Sequence, residues 1–174
     1  MTKGSCRKLI LGSAGKKHPD AVTLDINPIH SPDVLHDLNK TPWPFRDNQF
    51  DSIIAHHVVE HLNDVCSVMN EVHRICSPQG RIYIEVPHHT SWCANDPLHT
   101  LRFNYFAFDG FLEGKSTWVT EKKFICLQKE ITFHKIFRGI FLHALFNKIP
   151  SFYERFCCYI FPAEHFKIWL QPRK

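Results

Sequence analysis

Up to about residue 87 the chain alternates between short, nearly continuous apolar runs and polar turns. Five runs read as β-strands: 8–12 (KLILG), 21–26 (AVTLDI), 33–38 (DVLHDL), 50–55 (FDSIIA) and 81–87 (RIYIEVP). Their β-branched content, without strict alternation, suits a parallel sheet covered on both faces. Between the last two, Val65, Val68, Met69, Val72, Ile75 and Cys76 recur at spacings of three and four, which predicts a helix. Asn63 or Asp64 can cap its start, and SPQG at 77–80 stops it. From 88 to 114 the pattern loosens into a loop-rich stretch. Residues 123–133 then alternate like a strand with one solvated side, and 164–172 (EHFKIWLQP) read as a final strand. Between them HKIFRGIFLHALFNKIP and SFYERFCCYIF read as aromatic helices divided by Pro150.

The 174 residues suit one domain with a real core, and 44% hydrophobic content excludes a disordered chain. A net charge of +4 is scattered among acids, with no basic run that would mark a nucleic-acid surface. The seven cysteines are odd in number, Cys157 and Cys158 are adjacent, and Cys6, Cys66, Cys76, Cys93 and Cys126 are too widely spaced for a zinc knuckle. Reduced thiols in a cytoplasmic protein are the simple reading. The N-terminus is not read as a signal peptide, and no apolar stretch approaches the roughly 20 residues of a spanning helix.

Ligands of an open parallel sheet bind beyond the carboxyl ends of its strands. Gly12 and Gly15 end the first run, where a backbone without Cβ lets a ligand approach. Asp25 ends the second and could accept both hydroxyls of a ribose; Asp37 ends the third, placed for an adenine amine. His56 and His57 follow the fourth, and His88 and His89 the fifth. Singly, these are a turn glycine, a cap and solvated turn residues; their joint placement at successive strand ends favours a nucleoside site. Only ten positions separate Gly15 from Asp25, against about 20 in a dinucleotide fold, and a pyrophosphate would want a helix N-terminus there.

The stretches LILGSAG, VTLDINP, VLHDLNKTPWPFRDNQFDSIIAHHVVEHL and MNEVHRICSPQGRIYIEVP resemble the class I S-adenosylmethionine-dependent methyltransferases, in the small branch called type 11. The resemblance covers roughly residues 7–110. It implies an α/β Rossmann-like fold: a mostly parallel central sheet, helices on both faces and an antiparallel C-terminal strand. It also implies S-adenosyl-L-methionine as cofactor. By that resemblance Gly12, Ser13 and Gly15 would face the methionine part, Asp25 the ribose, Ile26 and Leu38 the adenine, with Asp37 at its edge and His56 near the sulfonium. Glu60 and His61 match the family's EH pair, read as orienting the following helix. Two departures stand out: Leu11 replaces the family's acid and Ala14 its middle glycine. Nine residues separate Leu11 from Ala21, too few for the first helix of a crossover, so the cofactor pocket should be shallow on that side.

The candidate catalytic groups are His57, His99 and Arg102. His99, in NDPLHTLRF, reads as a base or substrate contact and Arg102 as a partner for an anionic group; the plainer alternative is a capped Asp96–Pro97 turn with His99 packed on aromatics. A metal site from His88, His89, Asp96 and His99 is set aside, because its spacing matches no tight ligand rule. No Asn/Asp-Pro-Pro-aromatic and no Pro-Cys follows the fourth run, which argues against methylation of nucleic-acid amines or cytosine C5; the absence of Tyr-x-x-x-Lys argues against a short-chain reductase.

The expected layout is a single domain over 1–174: a cofactor-binding core at 7–87, substrate loops at 88–120, and an aromatic segment at 135–162. That segment reads as a lid, a homodimer face or a membrane-interface segment, with lid or dimer preferred over membrane contact. The expected activity is methylation of a small molecule (a sugar, lipid-linked or natural-product-like acceptor). The alternatives are a non-catalytic methyltransferase-like binding module and a nucleotide-sugar or NAD enzyme of related fold.

Overall fold

The structure, a computed structural model, describes residues 7–16, 18–114, 119, 121–138 and 141–174. Cys6, part of the helical reading at 139–140, and part of the substrate-loop stretch at 115–118 and 120 lie outside the described residues.

The described residues form a seven-stranded sheet: β1 (Lys8–Leu11), β2 (Ala21–Asp25), β3 (Val34–Leu35), β4 (Phe50–His56), β5 (Cys76–Pro87), β6 (Phe124–Phe133) and β7 (Ala163–Pro172). Its order is β3-β2-β1-β4-β5-β7-β6. The first five strands are parallel, and β7 runs antiparallel to both β5 and β6. The order reverses between β1 and β4, so their carboxyl ends diverge there and open a crevice.

Register makes the two faces unequal. Leu24, Leu11, Ala55, Ile84 and Ile168 fall in one row across five strands, and all are buried. The helix α1 (Val65–Ile75) lays Val68, Met69, Val72 and Ile75 into the same core, as its spacing predicts. Asp64 caps it, accepting from Cys66 N and Ser67 N at 2.9 and 3.2 Å. The opposite row carries Ser52, Ile54, Tyr83, Trp169 and Lys167, and none of these is fully buried. Among the described residues no helix connects β1 to β2, in line with the nine-residue gap.

Three expectations need correction. The third strand pairs only over Val34–Leu35, because Asp37 Oδ1 then accepts from Asn39 N and turns the chain. The fifth begins at Cys76, opposite Phe50, before a bulge at 77–80. Gly80 is needed there: a Cβ would lie 2.5 Å from Cys76 Sγ. The loop-rich stretch holds a short helix, α2 (Asp109–Glu113), and the aromatic stretch is broken into α3 (Lys135–Arg138), α4 (Leu142–Lys148), α5 (Pro150–Phe152) and a π-turn at Tyr153–Cys157. Phe141 is left-handed (φ 54°), and Pro150 opens α5 at the first helical position, where its missing N–H costs nothing. Two polar anchors hold the segment. Asn147 hydrogen-bonds both backbone groups of Ile131, and Glu154 reaches the end of β5. Among the described residues no helix is long and apolar enough to cross a membrane.

Candidate functional site

Gly12 leaves β1 with φ +65°, and its missing Cβ is filled by Val58, whose Cγ2 would stand 1.9 Å away. That contact brings the β1 turn against the segment following β4. Ala14 also sits at positive φ (47°), so the position where the family has glycine keeps the glycine conformation with an added methyl. Gly12, Ala14, Asp25, Ile26, Asp37, Leu38, His57 and Val58 line a cleft of about 290 Å³ at the carboxyl ends of β1, β2 and β4. It is mostly apolar with a few convergent polar groups, as small-molecule sites are. Ile26 is 64% exposed at its floor, an apolar side chain that a flat ring would cover.

Asp25 is almost fully buried and well supplied with donors. Its Oδ1 accepts from Asn27 N (2.9 Å), and its Oδ2 accepts from Ala14 N (3.0 Å) and pairs with His30 Nδ1 (3.1 Å). Burial pushes its carboxyl up, but the hydrogen bonds from Asn27, His30 and Ala14 outweigh it and hold the group below the usual carboxylate range. Asp25 therefore stays ionised and fixes the turn 13–16 to the 3₁₀ turn Pro28–His30. A ribose reaching Oδ2 has to displace His30.

Ser13 is buried, with its hydroxyl 3.4 Å from Asp25 Oδ2, and it does not line the cleft. Gly15, at φ +77°, is likewise not among the lining residues, so of the glycine turn only Gly12 and Ala14 face the cleft. The adjacent histidines divide. His57 (φ 53°) turns into the cleft, while His56 points from the half-open sheet face toward Glu85, 3.6 Å away. Burial lowers the His56 pKa despite that carboxylate. The alternation of β4 sets this division, and His57 lines the first cleft where His56 does not.

A second cleft, of about 520 Å³, adjoins the first and shares His57 and His61 with it. Its walls include Glu60, Trp92, Asp96, His99 and His165. The 3₁₀ turn Val59–His61 forms one side. The loop 98–101 is fastened to it: Thr100 N and Leu101 N donate to Glu60 O at 2.9 and 3.1 Å, Thr100 Oγ1 donates to Leu62 O at 2.7 Å, and His61 Nδ1 lies 3.1 Å from Leu98 O. This docking holds His99 opposite Glu60 and His61. His57 Nδ1 lies 3.1 Å from Glu60 Oε1, so the carboxylate sets the tautomer and leaves Nε2 as a base. Asp96 caps its own turn, accepting from Leu98 N at 2.9 Å.

Arg102 falls elsewhere, in a hollow with Val65, His89 and Phe103. His88 and His89 both bind Glu154 (3.0 and 3.2 Å), so the four groups set aside as a metal site do not converge. Glu60 and His61 were read as orienting α1; Asp64 does that, and the pair faces the second cleft. No described residue of 135–162 lines either cleft, so the lid reading gains no support.

Residues 14–84, from the β1 turn into β5, match the family model of a methyltransferase domain. Over that stretch, less than half of the chain, the sequence is similar to the methyltransferase-domain family. S-adenosylmethionine is the cofactor this similarity implies, and the first cleft fits it through an ionised acid beside an exposed Ile26, whereas the space at Gly12 expected to admit a ligand is taken by Val58. No curated protein matches the chain. Among solved structures, a SAM-dependent methyltransferase from Archaeoglobus fulgidus superposes with a TM-score of 0.65 at 16% identity, over 97% of this chain and 87% of that one. The YcgJ protein of Bacillus subtilis gives 0.61 at 14% identity, over 97% and 92%. The cyclase SpnF gives 0.62 at 11%, over 98% and 75%. These likenesses show that the described residues share the fold of those structures over nearly their full extent.

Proposed function

We propose that this methyltransferase domain methylates a small molecule held in the second cleft. The observation that supports this reading is the junction of the two clefts at His57 and His61. Bound S-adenosylmethionine supplies a methyl on a sulfonium, so the carbon is already electrophilic and the leaving group good. The chain's own residues have three tasks. Asp25, Asp37, Ile26 and Leu38 hold the adenosyl part. The His61–His99 wall confines the acceptor beside it, which supplies proximity and excludes water. His57, oriented by Glu60, takes the acceptor's proton as its oxygen or nitrogen bonds to carbon.

The test is release of S-adenosylhomocysteine in the presence of a panel of hydroxylated and amine-bearing small molecules. The expected result is turnover on some acceptor that falls about 100-fold or more in His57→Gln, with the cofactor product still bound. Turnover unaffected by that substitution would remove His57 from the chemistry.

A second reading, a binding module without activity, is favoured by one observation: the ribose acid is already occupied by His30 and two backbone amides. The SpnF likeness also shows that this fold occurs in a protein named for other chemistry. Slow methyl transfer to any acceptor would reject it.

A further inference from the structure

Among the described residues, three groups of side chains bring histidine nitrogens and carboxylate oxygens within 4.8 Å of one another: His56, His57 and Glu85; Glu60, His61 and His99; and His88, His89 and Glu154. Two of them are internally satisfied. His88 Nε2 bonds Glu154 Oε1 and its Nδ1 faces Thr90 Oγ1 at 2.8 Å; Glu154 also accepts from Tyr105 N. Glu85 is met by the Tyr83 hydroxyl and lies 3.8 Å from Lys167, while His57 turns away to Glu60.

The third group differs. Glu60 is 1% exposed, yet its Oε2 has no hydrogen-bond partner among the described residues. His99 Nδ1 is also buried and unpartnered. A buried carboxylate oxygen and a buried imidazole nitrogen, both unsatisfied and lining one cavity, carry a desolvation cost that no described residue offsets.

From this we infer that Glu60, His61 and His99 form a binding site for a divalent transition-metal ion such as Zn²⁺ in the floor of the second cleft. The surroundings are those of a ligand set. His61 turns Nδ1 to the Leu98 carbonyl, which leaves Nε2 free to coordinate. His57 bonds the other oxygen of Glu60, the usual orientation of a ligating carboxylate. Two imidazoles and one carboxylate suit Zn²⁺ or a similar ion better than Mg²⁺. Adjacent ligands of tetrahedral zinc lie about 3.4 Å apart, so donor atoms within 4.8 Å close by side-chain rotation. Three protein ligands leave a coordination position facing the cleft. The proposal rests on the methyltransferase reading only for its use: the open position takes an acceptor oxygen, which makes a hydroxyl or carboxylate the favoured acceptor class.

The test uses untagged protein freed of metal with a chelator, then titrated calorimetrically with ZnCl₂; S-adenosylhomocysteine is titrated separately into the same preparations. One equivalent of Zn²⁺ is expected, with affinity falling about 10-fold or more in both Glu60→Gln and His99→Ala and unchanged in the exposed His134→Ala. Co²⁺ bound to the unmodified protein should show visible absorption of a nitrogen–oxygen donor set, which needs no variant to fold. No Zn²⁺ uptake, or uptake unchanged in His99→Ala and lost in His89→Ala, would overturn the inference. Retained binding of S-adenosylhomocysteine alongside absent Zn²⁺ binding would defeat the metal site alone; the reverse pattern would defeat the cofactor reading.

Discussion

Replacing Gly12 by alanine loads the point where the first strand meets the segment after β4. Two costs add. At φ +65° an L-residue gives up about 1–2 kcal/mol relative to its ordinary conformations. The new Cβ would also stand 1.9 Å from Val58 Cγ2, and relieving such overpacking costs about 1–3 kcal/mol. Together these give a destabilisation of roughly 2–5 kcal/mol, or about 5–15 °C in Tm for a chain of this size. Urea unfolding followed by circular dichroism measures it. The two costs separate in a double-mutant cycle. Val58→Ala removes the clashing methyl, so Gly12→Ala made in that background should lose only the conformational part, and the coupling should be about 1–3 kcal/mol. A Gly12→Ala protein within about 0.5 kcal/mol of the parent, or a coupling near zero, would show that the turn does not pack on Val58 as described.

Four further outcomes are expected. Burial opposes the Glu154 charge, but hydrogen bonds from His88, His89 and Tyr105 N hold its carboxyl down at about 2. Its folded pKa is depressed, so its stabilisation is complete above the unfolded value of 4.5 and is lost as pH falls toward 2. Glu154→Gln should therefore be less stable at neutral pH, with a flatter stability profile across that window in urea titrations; an unchanged acid profile would contradict the pairing. Asp64→Ala should cost about 1 kcal/mol through the lost α1 cap, readable in the urea midpoint, and leave cofactor affinity alone. His30→Ala frees Asp25 Oδ2 and should tighten S-adenosylhomocysteine by up to about 10-fold, the worth of one hydrogen bond, in calorimetry; weaker binding would show that His30 is a contact and not a competitor. Ala14→Gly should raise Tm, because it removes a methyl from a left-handed position.

The sheet was legible because its parallel strands are short apolar runs closed by a glycine, an acid or histidines, and a strand buried on both faces imposes such a run. The missing first helix was legible by count alone. What escaped was geometry that a local pattern does not encode. His56 and His57 are adjacent letters, but the pleat of β4 and a left-handed His57 send them to different faces. Ser13 lies within the glycine motif, yet the turn directs its hydroxyl at Asp25 and away from the cleft. Glu60 and His61 acquire their partner His99 from 38 positions further along the chain, through backbone hydrogen bonds of Thr100 and Leu101. An EH pair starting four residues past the end of β4, with histidines elsewhere, was the available signal. Arg102 was grouped with His99 by proximity in sequence, and three further residues carry it past the cleft wall into another hollow. The aromatic segment read as continuous helices because hydrophobicity without caps cannot show a left-handed break at Phe141.

The account depends on an adenosyl group resting over Ile26 between Asp25 and Asp37, and a calorimetric titration of the folded protein with S-adenosylhomocysteine tests it directly. Saturable one-to-one binding that weakens in Ile26→Ala, a change to an exposed side chain with no part in the core, is the predicted result. Absence of heat at millimolar ligand, or an affinity indifferent to residue 26, would contradict it.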